Sequence, residues 1–171
     1  GSIVSAWGDD GGENLRENNW AAYAYSAAAT WEQGTTINTD EFFQNFVTQQ
    51  YGLNSPKLAN AEKILGTVAI ADNAFLARLF HLRPMIKNYN PNWLDSMKGM
   101  KKDMENAYKA ILFYESRARM NQEHLITLDN ISRRYLYLAN RYETLNDIAM
   151  ILGNKKSGEL SEKDTIIIKK K

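Results

Sequence analysis

Apolar residues recur in alternating steps of four and three along the second half of this chain. Trp93, Met97, Met100, Met104, Ala107, Ile111, Tyr114 and Ala118 form one such series, and Leu128, Ile131, Tyr135, Leu138, Tyr142, Leu145, Ala149 and Leu152 form another. That spacing lines one face of an α-helix. Neither Gly nor Pro occurs between Gly99 and Gly153, yet the two series are out of register across residues 121–128. One very long helix is possible. Two long helices folded back as an antiparallel hairpin fit usual helix lengths better, with the break near Met120 to Glu123. The loop Asn88 to Pro91 precedes them.

The first half is more broken. Ile3 to Trp7 reads as one short strand, and no second convincing strand follows. Glu13 to Trp31 reads as a helix with a small-residue face of Ala21, Ala22, Ala24, Ala27, Ala28 and Ala29, flanked by Trp20, Tyr23 and Trp31. Small side chains let a neighbouring sheet or helix approach closely, while the aromatics add apolar area. A further helix starts with Thr39 or Asp40 as its N-cap, carries Phe42, Phe43, Phe46 and Val47 on one side, and stops at Gly52. Ser55-Pro56 starts the next, with proline at the first helical position. Lys57 to Leu65 is helical and Gly66 interrupts it. Thr67 to Asp72 is β-branched and extended in character, Ala74 to Leu82 returns to helix, and Pro84 closes that stretch. Ser161 with Asp164 has the spacing of a capping box ahead of either a last helix or an extended tail. The fold class is therefore mostly α: a helical bundle with a long antiparallel pair, preceded by one short strand and a helix.

Composition narrows the picture only a little. At 171 residues the chain can bury a sizeable core, and 44% hydrophobic with 24% charged residues is an ordinary globular balance. A net charge of +1 gives no electrostatic reason to expect nucleic acid as a partner. No apolar run reaches the ~18 residues of a membrane span. The absence of cysteine excludes a disulfide framework and leaves the redox compartment open. A chain that opens on Gly1-Ser2 reads as a piece of a longer protein.

Candidate chemistry concentrates just after the expected strand. Trp7 is followed by Gly8, Asp9, Asp10, Gly11, Gly12 and Glu13. In α/β architectures, ligands bind beyond the carboxyl ends of strands. Carboxylates there can accept hydrogen bonds from sugar hydroxyls, and an indole can stack on the ring. The plainer reading is an acidic loop serving the start of the next helix, where negative charge is favourable. The run Ala6-Trp7-Gly8-Asp9-Asp10-Gly11, followed by the alanine-rich Asn19 to Trp31, resembles the end of the catalytic barrel of family 20 glycoside hydrolases, the β-N-acetylhexosaminidases. In that family the last barrel strand ends in a Trp with an acid two residues later, and a small-residue helix then closes the barrel. The close likeness covers about the first thirty residues.

The resemblance implies that residues 1–35 complete a (β/α)8 barrel and residues 36–171 form a C-terminal helical region. It implies an enzyme that removes terminal N-acetylhexosamine from glycans, with retention and assistance from the substrate's acetamido group. Trp7 and Asp9 become sugar-binding residues, and the location becomes periplasmic or secreted. No cofactor is implied. The family's catalytic Asp-Glu pair sits at a strand end within a motif containing His and Gly. Asp40-Glu41 lies instead at a helix start, before Phe42-Phe43, so the resemblance places the catalytic pair upstream of Gly1.

Other features carry less. His81 and His124 have no partner at metal-ligand spacing, which leaves zinc without a ligand set. Gly11-Gly12 is no phosphate cradle, and no G-x-S-x-G elbow is present. Met97, Met100 and Met104 suit a helical core more than an adaptable binding surface. Lys169, Lys170 and Lys171 read as a solvated tail, and the sequon Asn130-Ile131-Ser132 falls inside a helical pattern. The competing class of function is a non-catalytic helical module in which the hairpin binds another protein or another copy of itself.

Overall fold

A computed structural model describes residues 19–31, 36–66, 89–153 and 160–170. Among the described residues the chain is mostly helical, with six α-helices and no strand. In order these are α1 (Trp20–Trp31), α2 (Thr39–Tyr51), α3 (Pro56–Gly66), α4 (Leu94–Glu115), α5 (Gln122–Leu152) and α6 (Glu162–Lys170). A single 3-10 turn, Pro91–Trp93, leads into α4. None of these helices is long and apolar enough to cross a membrane.

The hairpin of α4 and α5 is the frame. Lys101 pairs with Glu143 at 2.7 Å, and the Arg133 guanidinium stands over the Tyr108 ring at 5.1 Å. Positions on α5 fall as those on α4 rise, so the helices run antiparallel. The alternating apolar series explains the contact, since it supplies Met97, Met100, Met104, Ala107 and Ile111 from α4, and Leu128, Ile131, Leu138, Tyr142 and Leu145 from α5, all buried. The interior divides in two. Near the hairpin's open end, Met97, Met100 and Met104 pack with Leu138, Ala139 and Tyr142. Nearer its closed end, Ala107, Ile111, Leu125, Leu128 and Ile131 pack with Phe43, Val47 and Tyr51 of α2 and with Leu58, Ala59 and Ala61 of α3. Ile64, Leu65 and Tyr135 touch both groups and join them.

The link 116–121 is docked rather than free. The last carbonyls of any α-helix lack partners within it. Here the Tyr51 carbonyl accepts from the Arg119 N–H at 2.9 Å, and the Gln50 carbonyl accepts from Asn121 Nδ2 at 2.8 Å. Gly52 closes α2 with φ 67°, its N–H donating to the Thr48 carbonyl at 3.0 Å. Asn121, at φ 50°, is the residue that turns the chain into α5.

The opposite end is tied by tyrosines. Tyr142 Oη donates to the Asn90 carbonyl and accepts from the Asn90 N–H at 3.0 Å. Tyr89 Oη donates to Asn146 Oδ1 at 2.6 Å. Two backbone groups of the loop before α4 are thereby satisfied by α5, in keeping with the demand that such groups find partners.

Several sequence expectations hold. Gly52 stops α2, Pro56 opens α3 with the Leu58 N–H donating to Ser55 Oγ at 3.1 Å, and the methionine stripe is core. Ser161 and Asp164 form the capping box, each backbone N–H donating to the other's side chain at 3.1 Å, and a helix follows. Others are corrected. The N-cap of α2 is Asn38, ahead of both expected residues, Thr39 and Asp40, because its Oδ1 reaches the N–H groups of both Asp40 and Glu41. The hairpin break spans 116–121 and thus begins before Met120. α4 stops at Glu115 so that Arg119 can meet α2. Of the alanine face on α1 only Ala21 is buried, and Trp31 is 90% exposed. The expected strand Ile3 to Trp7, the helix segment Glu13 to Asn18 and the stretches Thr67 to Asp72 and Ala74 to Leu82 lie outside the described residues.

Two glycines give opposite expectations. A Cβ on Gly99, on an exposed face of α4, would meet nothing within 4 Å. Gly99→Ala is expected to raise stability by about 0.5–1 kcal/mol in urea titrations. A Cβ on Gly52 would sit 3.0 Å from Arg119 Cβ, on a backbone already in the left-handed region. Gly52→Ala is expected to cost about 1–2 kcal/mol or more.

Candidate functional site

The residues singled out for sugar binding, Trp7 and Asp9, lie outside the described residues, as do Asp10, Glu13 and His81. Asp40 and Glu41 occupy the first turn of α2, where carboxylates suit the helix N-terminus. Asp40 pairs with Lys63 at 2.6 Å, and its side chain is 81% exposed. Both carboxylates thus sit where the helix-start reading puts them. Asn130 and Ser132 of the sequon are within α5, and the Ser132 hydroxyl is buried and donates to the Leu128 carbonyl at 2.8 Å.

The chemistry that the fold does assemble is a buried polar chain between α2, α3 and α5. Tyr51, the last residue of α2, is fully buried. Its Oη donates to Glu62 Oε1 on α3 and lies 2.8 Å from His124 Nδ1 on α5. The imidazole also stacks against the Tyr51 ring at 5.8 Å. Local sequence explains each placement. Glu62 falls four residues after Leu58 and one after Ala61, so it shares the apolar face of α3 and is carried inward with it. His124 sits in the first turn of α5 beside buried Leu125. Tyr51 is held inward because its own carbonyl is tied to Arg119.

Burial pushes the Glu62 carboxyl up to about 7, opposed in part by the hydrogen bond from Tyr51. Burial, with the carboxylate beside it, drives the Tyr51 phenol well above its usual range, so it stays protonated at any ordinary pH. No second carboxylate among the described residues bears on Glu62. The chain of three groups can hold and pass a proton.

His124 also borders an open groove of about 560 Å³, shared with Trp20, Gln50, Asn121, Glu123 and Thr127. Among the described residues this lining contains no Lys or Arg. A second buried carboxylate, Asp129, accepts from Arg133 Nε at 2.8 Å, while its Oδ1 has no hydrogen-bond partner among the described residues. No group of three His, Asp or Glu residues among those described could hold a metal ion.

Sequence reasoning picked out His124 but not its partners. The signal for Glu62 was a lone carboxylate on the apolar face of α3, visible once Leu58 and Ala61 are placed together. The link from His124 to Tyr51 crosses 73 residues and leaves no local mark.

No protein family, curated protein or solved structure matches this chain.

Glu62 makes stability depend on pH. Its ordinary value is 4.5 and its folded value about 7, so between those limits the folded chain binds a proton that the unfolded chain lacks. Its contribution is full below 4.5 and is lost as pH rises through 7. The gap amounts to about 3 kcal/mol. Urea titrations of the chain and of Glu62→Gln should show the variant losing more stability at pH 5 than at pH 8. A difference independent of pH would contradict this assignment.

Proposed function

We propose that this chain is the C-terminal part of a family 20 β-N-acetylhexosaminidase. Residues 1–35 supply the last strand and helix of the catalytic barrel, and residues 36–171 a helical region attached to it. One observation carries the reading: Ala6-Trp7-Gly8-Asp9-Asp10-Gly11 followed by the alanine-rich stretch that ends at Trp31. The helical state of Trp20–Trp31 is compatible with a barrel-closing helix. So is the largely uncovered alanine face, which on this reading packs on the barrel.

On this reading Asp9 accepts hydrogen bonds from sugar hydroxyls remote from the scissile bond and so fixes the ring's position. Trp7 walls the ring and excludes water. The general acid and the acetamido-orienting carboxylate come from the preceding barrel strands, and the substrate is a glycan with a terminal N-acetylhexosamine. The enzyme is periplasmic or secreted.

A second reading, a non-catalytic module for protein interaction or self-association, is favoured by large apolar side chains left in solvent. Trp31, Tyr137 and Met150 are 90, 61 and 77% exposed. Light scattering separates the two, since self-association of the pure chain at micromolar concentration supports the module.

The chain by itself is expected not to hydrolyse aryl N-acetyl-β-hexosaminides, because general acid catalysis alone contributes about 10²–10⁴-fold. Activity that persisted in pure protein and vanished in Asp40→Asn or Glu41→Gln would reassign that pair. In the longer enzyme, Asp9→Ala removes a hydrogen bond to a charged group, typically about 1.5–3 kcal/mol. That corresponds to a drop in kcat/KM of roughly ten- to a hundredfold, smaller for a substrate lacking the contacted hydroxyl. Unchanged kinetics would make Asp9 part of an acidic loop before a helix.

A further inference from the structure

A second stripe runs along α4 beside the one that packs on α5. Lys98, Lys101, Glu105, Tyr108, Leu112 and Glu115 follow one another in alternating steps of three and four, the spacing that presents a seam to another helix. Much of this face is left to solvent. Leu112 is 48% exposed, Lys98 is exposed, and Glu105, Tyr108 and Glu115 are half-buried. α5 edges the stripe with Glu143, which pairs with Lys101, and with Arg133, whose half-exposed guanidinium stands over the Tyr108 ring. α3 lies along another flank of α4, where Lys57 and Asn60 share a groove with Asn106 and Ala110.

The order of charges along the stripe selects its occupant. Lysines stand at its start and glutamates follow, so a surface of one sign would be repelled at one end. A second copy laid parallel would set Lys98 on Lys98 and Glu115 on Glu115. Laid antiparallel, it meets no such conflict. Setting Lys98 opposite the second copy's Glu115 brings Lys101 opposite its Leu112 and Glu105 opposite its Tyr108. A twofold axis between Glu105 and Tyr108 makes each of these pairings twice. The Lys101 ammonium is already held by Glu143, which leaves its stem to cover the leucine. Glu105 meets the ring that the second copy's Arg133 covers, and so brings a carboxylate to a guanidinium. Lys102 and Lys109 are exposed and fall on the outer rim, where water and salt screen them.

We propose that this face of the hairpin is a homodimer interface, on which a second copy of the chain seats antiparallel along the stripe from Lys98 to Glu115. The proposal rests on the self-association reading above and names its surface. The size is sufficient. From Lys98 to Glu115 the helix runs about 27 Å, and a face two helices across is ~20 Å wide. Each copy then contributes roughly 500 Å² and the pair about 1,000 Å², the size at which specific association begins.

Analytical ultracentrifugation of the full chain at micromolar concentration should find monomer and dimer in equilibrium. Leu112→Lys sets a lysine against the second copy's Lys101 and should leave only monomer. Its far-UV CD and urea midpoint should match those of the unaltered chain, because Leu112 is half exposed. Lys98→Glu and Glu115→Lys each set like charges face to face at both symmetric places and should raise the Kd roughly tenfold. The double variant exchanges the two signs and should return most of the lost affinity. That recovery separates a direct contact from damage to the fold, which a second substitution could not repair. A chain that stayed monomeric would overturn both the self-association reading and this surface. A dimer indifferent to Leu112→Lys would overturn the surface alone and leave self-association standing. A double variant weaker than either single one would overturn the antiparallel seating proposed here.

Discussion

Tyr51 is the residue on which the bundle turns. Its carbonyl receives the Arg119 N–H and so seats the hairpin link on α2, while its hydroxyl joins Glu62 of α3 to His124 of α5. Its ring packs edge-on to Phe46 and stacks with His124. Four segments converge on one residue. A buried polar group is costly when any member is left unpaired, and such networks define one arrangement more sharply than apolar packing does. The apolar contacts between α2, α3 and the hairpin would tolerate small slides. The hydrogen bonds from one phenol to two helices would not.

Much of the frame was legible because its causes are local. The steps of four and three from Met97 to Leu145 gave both faces of the hairpin, and Gly52, Ser55-Pro56 and Ser161-Asp164 gave their helix ends through turn and cap chemistry. What escaped was non-local. Asn38 won the cap from Thr39 and Asp40 by geometry that the three side chains, all capable of capping, do not reveal in sequence. The hairpin break drifted because residues 116–119 carry no turn signal of their own, and leave the helix to satisfy carbonyls at the end of α2.

The candidate site was legible to a different degree. The resemblance that points to Trp7 and Asp9 rests on sequence alone. His124 was noticed for lacking metal partners, and its actual neighbours are a phenol and a carboxylate from helices 73 and 62 positions upstream. Periodicity can say that Glu62 faces inward. It cannot say that a hydroxyl will meet it there.

The two halves of the interior also differ in what they can report. Met97 and Met104 are wholly enclosed and Met100 nearly so, whereas Met120 and Met150 stand 48% and 77% exposed. Thioether oxidation to the sulfoxide requires access to the sulfur. The outer pair will react with peroxide as fast as solvent delivers it, and the inner three only when the end of the hairpin held by Tyr142 and Asn90 comes apart. The lag between the two groups of methionines is a built-in clock for how often that end of the bundle opens.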